Sequence, residues 1–244
     1  MIEVSGLHKS FGPVVAVDDV SFVAADGAVT GLLGPNGAGK TTTLRMLYSL
    51  LAPERGTARI DGFDTSRDRL EAQRRIGALP DSRGLYPRLT ARENIRYYGR
   101  LHGLQGPPLE ASIDHLIDLL DLRDAADRRT DGFSTGERLK VAIARALVHG
   151  PQQVVFDEPT NGLDVMSTRA MRTFICRLRD EGKCVLLSSH IMQEVAALCD
   201  HIVIIYRGRV AADGTPDELR RRTGLDNLEE AFVHVIGTEE GLER

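Results

Sequence analysis

No apolar stretch in this 244-residue sequence approaches the roughly 18 to 20 residues that a membrane-spanning helix needs; candidates such as His201–Tyr206 stop after a few residues. The chain is therefore expected not to span a bilayer. Its start, Met1-Ile-Glu-Val-Ser-Gly6, lacks the basic and then apolar layout of a secretory leader, which points to the cytoplasm. Cysteine is scarce: Cys176, Cys184 and Cys199 show no metal-ligand spacing, and so sparse and odd a set reads as small core side chains in a reducing compartment. There is no block of basic residues, and 31 basic against 35 acidic side chains leave a net charge of -4, so bulk electrostatics give no hold on nucleic acid. No internal repeat or low-complexity segment is visible. What remains is ordinary globular usage, 42% hydrophobic and 27% charged, which excludes a wholly disordered or fibrous chain. The length allows one large domain, or one domain with a subdomain.

Short β-rich runs at Ile2–Val4, Val14–Val17 and Ser21–Val23 lead to Ala28–Leu33, a nearly all-apolar run of buried-strand length. That run ends at Gly34 and opens into a glycine-rich turn. From Thr41 through Leu51 the period becomes helical, with Leu44, Leu47, Leu50 and Leu51 on one face, until Pro53 stops it. Between about Pro80 and Gly150 helical spacing dominates, as in Ile113, Leu116, Ile117, Leu119 and Leu120, broken at Gly103–Pro108. Strand-like runs return at Gln153–Phe156, Lys183–Ser188 and His201–Tyr206, alternating with helices over Met166–Glu181 and Ile191–Leu198. Such alternation predicts an α/β fold with a mainly parallel sheet and helices packed against it.

The turn itself carries chemistry. Gly34-Pro35-Asn36-Gly37-Ala38-Gly39-Lys40-Thr41 fits G-x-x-x-x-G-K-[ST] and lies between strand and helix, as phosphate binding requires. Its glycines let successive backbone N–H groups turn inward, the helix start offers a positive dipole end, and Lys40 adds a charge at the β- and γ-phosphate oxygens. Thr41 can place its hydroxyl on Mg²⁺.

Val154-Val155-Phe156-Asp157-Glu158 is an apolar strand ending in two acids, delivered to the edge where open α/β sheets bind ligands. By itself such a pair is more often a helix cap or a solvated loop. Beside a phosphate loop, Asp157 is expected to hold Mg²⁺ and Glu158 to act as general base on an attacking water.

With both motifs in place, residues 2 to 215 resemble the ATP-binding subunit of ABC transporters. The most specific element is Phe133-Ser134-Thr135-Gly136-Glu137, followed by Ala142, Ala144, Arg145 and Ala146. It is similar to the family signature Leu-Ser-Gly-Gly-Gln, departing from it at Thr135 and Glu137. The resemblance implies a P-loop NTPase of RecA-like fold, with antiparallel strands at the N-terminus and an inserted helical subdomain. In that scheme residues 1–217 form the nucleotide-binding domain, with a core lobe of 1–80 and 151–217, a helical subdomain of 81–150, and an extension of 218–244. It further implies a homodimer in which Ser134 and the backbone of Gly136 form an anion site facing the γ-phosphate held by the other copy. His190 matches the switch histidine beside that phosphate, and Asn161-Gly162-Leu163-Asp164 matches the loop that touches the opposite subunit. Phe11 sits where the family places an aromatic on the adenine, and Asn36, Gly37 and Thr42 add phosphate contacts. One departure concerns the metal: the family's glutamine is replaced by Asp81, a carboxylate that could still reach Mg²⁺ while adding charge beside the γ-phosphate.

A motor without spanning segments implies a separate membrane permease, docking near Leu85–Thr90, and a place at the cytoplasmic face of the cell membrane. The wording Gly84-Leu-Tyr-Pro-Arg-Leu-Thr-Ala-Arg-Glu-Asn94 and the tail Leu228-Glu-Glu-Ala-Phe232 resemble the branch working with ABC-2 permeases, mostly exporters. Val141–Leu147 and Thr160–Asp164 are similar to sodium-export ATPases of that branch. Rival readings are soluble ABC-type proteins acting on ribosomes or DNA, which carry two heads in one chain or a long coiled coil, and P-loop kinases or GTPases, which have no use for Ser134–Glu137 or His190.

Overall fold

The computed structural model describes residues 1–80 and 84–240. In chain order the strands and helices are β1 (Ile2–Phe11), β2 (Val14–Ala24), β3 (Val29–Leu33), α1 (Lys40–Leu47), β4 (Arg55–Ile60), β5 (Phe63–Asp64), α2 (Arg69–Arg75), β6 (Ile76–Leu79), α3 (Ala91–Leu101), α4 (Gly106–Leu119), α5 (Thr135–Leu147), β7 (Gln153–Asp157), α6 (Val165–Asp180), β8 (Cys184–Ser189), α7 (Met192–Leu198), β9 (His201–Tyr206), β10 (Arg209–Gly214), α8 (Pro216–Thr223) and α9 (Leu228–Glu240).

They form two sheets. β2-β1-β4-β5 is antiparallel, and β10-β9-β3-β8-β7-β6 is parallel except for its edge strand β10. β3, β7 and β8 are buried along their whole length, because helices or strands cover both faces of the parallel sheet. Alternation survives beneath that burial. Leu33, Phe156, Leu187 and Ile204 join the core that contains α3 to α7, whereas Leu32, Val155, Leu186 and Val203 join the core with α1 and the antiparallel sheet.

Two elements differ from the periodicity. Val14–Val17 and Ser21–Val23 are one strand, β2, in which Asp19 takes a left-handed φ of 59° at a register shift against β1. α1 ends at Leu47 rather than Leu51; Ser49 turns left-handed at φ 59°, and Leu50 is left exposed.

α3, α4 and α5 pack together between β6 and β7 in the chain. Arg96 of α3 grips Glu110 of α4 through two bonds of 2.6 and 2.7 Å, and Gly99 of α3 lies so close to Leu109 that a Cβ there would come within 2.3 Å of it. The rings of His102 and His149 stack with centroids 3.6 Å apart. His149 Nε2 bonds Ile76 O at 3.2 Å, while its Nδ1 is buried without a partner. Burial and the neighbouring His102 depress the His149 pKa to about 4.

Candidate functional site

Three adjacent strands, β3, β8 and β7, end at one edge of the parallel sheet, and their register pairs set which side chains meet there. Leu33 pairs with Ser189, and Asp157 pairs with Ser188. The glycine loop therefore leaves the sheet beside the two serines, and the two acids leave it on their other side.

The loop bends through left-handed glycines, Gly37 at φ 81° and Gly39 at φ 107°. Gly34 and Gly39 also have no room for a side chain: a Cβ on Gly34 would stand 2.2 Å from Ile205 O, and one on Gly39 would stand 2.4 Å from Ala16 O. Pro35, Asn36 and Gly37 are exposed at the lip while Ala38 and Lys40 are buried. Lys40, the first residue of α1, is 5% exposed, with Nζ donating to Gly34 O at 2.7 Å and Pro35 O at 3.3 Å and lying 3.5 Å from Glu158 Oε1. The ammonium thus bridges the loop to the acids.

Asp157 is 3% exposed and takes a bond of 2.6 Å from Ser188 Oγ, with Thr41 Oγ1 at 3.5 Å from the same carboxylate oxygen. Glu158 stands in the left-handed region at φ 50°, a conformation rare for a residue with a Cβ and kept where the surroundings impose it. What imposes it is visible: its N–H donates to Ser188 Oγ at 3.0 Å, and its Oε2 lies 2.9 Å from His190 Nδ1. Ser188 thus donates to one acid and accepts from the backbone of the next. Sequence reading gave it no role; the signal available was a polar pair closing an otherwise apolar strand.

Phe11, Pro35 to Thr42, Glu158, Asn161 and His190 line one cavity of about 430 Å³. Phe11 is at its rim, 50% exposed, with Lys9 Nζ 5.8 Å from the ring centroid. Asp81 lies outside the described residues.

Ser134 and Gly136 are not part of that cavity. Ser134 caps α5, its Oγ accepting from Glu137 N at 3.2 Å while Glu137 Oε2 accepts the Ser134 N–H at 2.8 Å. The hydroxyl accepts in this box, so its own O–H is a donor at an exposed helix start. The Ser134 N–H holds the Glu137 carboxyl below the usual carboxylate range, and Arg128 at 3.1 Å balances its charge. Glutamate in place of glutamine thus keeps the cap and carries its own counter-ion.

Residues 17–161 match the family model described as ABC transporter. The chain is 48% identical over 224 residues to the ABC transporter ATP-binding protein NatA of Bacillus subtilis, covering 91% of each chain. It is 39% identical over 229 residues to the Nod factor export ATP-binding protein I of Paraburkholderia xenovorans, covering 93% of this chain and 75% of that one. Among solved structures it matches the ATP binding subunit of an ABC transporter with a TM-score of 0.88 and 32% identity, over 96% of this chain and 99% of the other. A dimeric ATP-binding cassette in a post-hydrolysis state, bound to ADP and Pi, matches with a TM-score of 0.79 and 25% identity over 88% and 98%. The chain belongs to the ABC transporter family, as an ATP-binding subunit that hydrolyses ATP to drive transport.

Proposed function

We propose that two copies of this chain clamp ATP between the glycine loop of one and the α5 start of the other, and that the cycle of closing and reopening powers export through a separate membrane permease. The observation that carries the reading is the Glu158–His190 pair, 2.9 Å apart, in the same cavity as Lys40.

In this scheme Lys40 and the backbone of Gly34 to Thr42 hold the phosphates, and Phe11 offers a flat face to the adenine. Thr41 and Asp157, a hydroxyl beside a carboxylate, suit Mg²⁺, which when bound neutralises charge on the β- and γ-phosphates; Asp81 is a further candidate for that ion. Glu158 Oε1 or Oε2 takes the proton of the attacking water. His190 Nδ1 donates to Glu158, which fixes the ring and leaves Nε2 to face the γ-phosphate or the water. From the other copy, Ser134 Oγ–H and the Gly136 N–H close over the triphosphate, and Asn161–Asp164 rest on that copy.

The helical insert of 81–150 would carry the permease contact near Leu85–Thr90, where Tyr86 and Tyr97 are exposed and meet edge to face at 5.1 Å. No helix of the described residues is long and apolar enough to cross a membrane, so attachment to the cytoplasmic face would run through the permease. Relatives whose names specify export support the direction. Sodium is the cargo implied by the resemblance, yet the stroke derived from these residues is indifferent to cargo, which the permease selects.

The test is reconstitution in vesicles with a candidate ABC-2-type permease from the same organism. ATP turnover several-fold above that of the isolated subunit supports the reading, and turnover unmoved by the permease contradicts it.

A further inference from the structure

Glu194 is a carboxylate only 7% exposed, and the chemistry above does not use it. It is the third residue of α7, the helix that follows His190. In α3, α5 and α8 the glutamate at that place reaches back to the backbone N–H ahead of the helix and closes a capping box. Glu194 does not. The residue before α7 is Ile191, whose N–H goes to Ser189 Oγ at 3.0 Å, and Glu194 Oε2 instead accepts from Thr160 Oγ1 at 2.5 Å. Arg172 of α6 approaches the other carboxylate oxygen, with Nη2 at 3.9 Å.

Thr160 is likewise 7% exposed and lies two residues beyond Glu158. It opens the turn that runs to Asp164, in which the Leu163 N–H closes onto Thr160 O at 3.1 Å. Burying a carboxylate is costly unless it is well bonded, and here a bond to a helix end was within reach. The side chain is turned instead toward the segment that follows Glu158.

We propose that Glu194 is a positioning residue for hydrolysis: it ties the loop after Glu158 to the helix that begins two residues after His190, so that base and histidine close on the water as one unit. Glu158 leaves β7 and His190 leaves β8, so the 2.9 Å contact between them depends on two separate loops keeping their spacing. The Thr160–Glu194 bond is a second tether across the same gap. Because residues 161–164, which follow Thr160 directly, face the other copy in the proposed dimer, a push there is passed to His190. The inference rests on the assignment of Glu158 and His190 as the hydrolytic pair.

The test is steady-state turnover of the full chain with MgATP, alongside thermal melting. Glu194→Ala should lower kcat about 10-fold with the KM for ATP within about two-fold, because binding groups are untouched. Glu194→Gln keeps an oxygen acceptor for Thr160 and should retain at least about half of the wild-type kcat. Thr160→Val should match Glu194→Ala, and the double variant should be no slower than either, as two ends of one interaction require. An unchanged kcat in Glu194→Ala, a Glu194→Gln as slow as the alanine variant, or losses that multiply in the double variant would overturn the proposal. Should melting show that Glu194→Ala does not fold, Thr160→Ser against Thr160→Val decides: serine fast and valine slow supports the tether, and equal rates reject it. Normal turnover by Glu158→Gln would instead remove the underlying assignment, whatever Glu194 does.

Discussion

Ser188 and Asp157 face each other as a register pair of β8 and β7, and the serine hydroxyl donates to the carboxylate at 2.6 Å. The same oxygen receives the Glu158 N–H at 3.0 Å, so one hydroxyl sets both acids. Ser188→Ala leaves a buried carboxylate oxygen and a backbone N–H without this partner. The expected cost is about 1–3 kcal/mol of stability, together with a kcat reduced at least about 10-fold. Chemical denaturation and an ATPase assay check the two parts, and Ser188→Thr should recover most of the activity if its hydroxyl keeps both bonds.

The two loop glycines should respond differently to alanine. At Gly39 the added methyl meets Ala16 O at 2.4 Å, on a backbone with φ 107°. At Gly37 there is nothing within 4 Å, so the cost is the left-handed φ alone, about 1–2 kcal/mol. Gly39→Ala should therefore melt well below Gly37→Ala and lose nucleotide binding, measured by calorimetry with a slowly hydrolysed ATP analogue. Equal melting points would refute the steric account.

Acid should weaken the fold through His149. Its pKa falls from 6.5 to about 4 on folding, because burial disfavours the charged ring. Between those values the unfolded chain holds a proton that the folded chain refuses, so stability falls with falling pH, by at most about 1.4 kcal/mol per unit. Above pH 6.5 this group contributes no slope. Urea midpoints at about pH 7.5 and about pH 5.5 should differ less in His149→Gln than in the wild-type chain.

Local chemistry was legible in the sequence, and long-range register was not. Gly34–Thr41 and Asp157–Glu158 announce themselves because each motif is contiguous and sits at a strand end, where the sheet gathers ligands. Ser188 becomes meaningful only once β8 is known to lie between β3 and β7, a neighbour relation that no spacing records. The same holds for Glu194, whose place in α7 reads as a helix cap until Thr160 is seen beside it. β10, α8 and α9 carry short or weak patterns, and the leucines of Thr41–Leu51 suggested a longer helix because Ser49 breaks the backbone without a glycine or proline to mark it.

Capping of α5 should matter to the neighbouring copy more than to its own. Ser134→Arg places charge and bulk at the exposed α5 start, away from the cavity that holds Lys40 and Glu158. In mixed dimers with wild-type chains, hydrolysis should fail in the site completed by the altered protomer. Unchanged activity across all mixing ratios would exclude the clamp.

The most direct measurement is size-exclusion chromatography of Glu158→Gln with and without MgATP. The account predicts that turnover drops by about 10²–10⁴-fold while ATP still binds, so the closed pair accumulates and elutes near twice the 26.8 kDa of one chain. Adding Ser134→Arg to the same chain should abolish that peak. A variant that binds ATP yet stays at the monomer position, or hydrolyses at the wild-type rate, would contradict it.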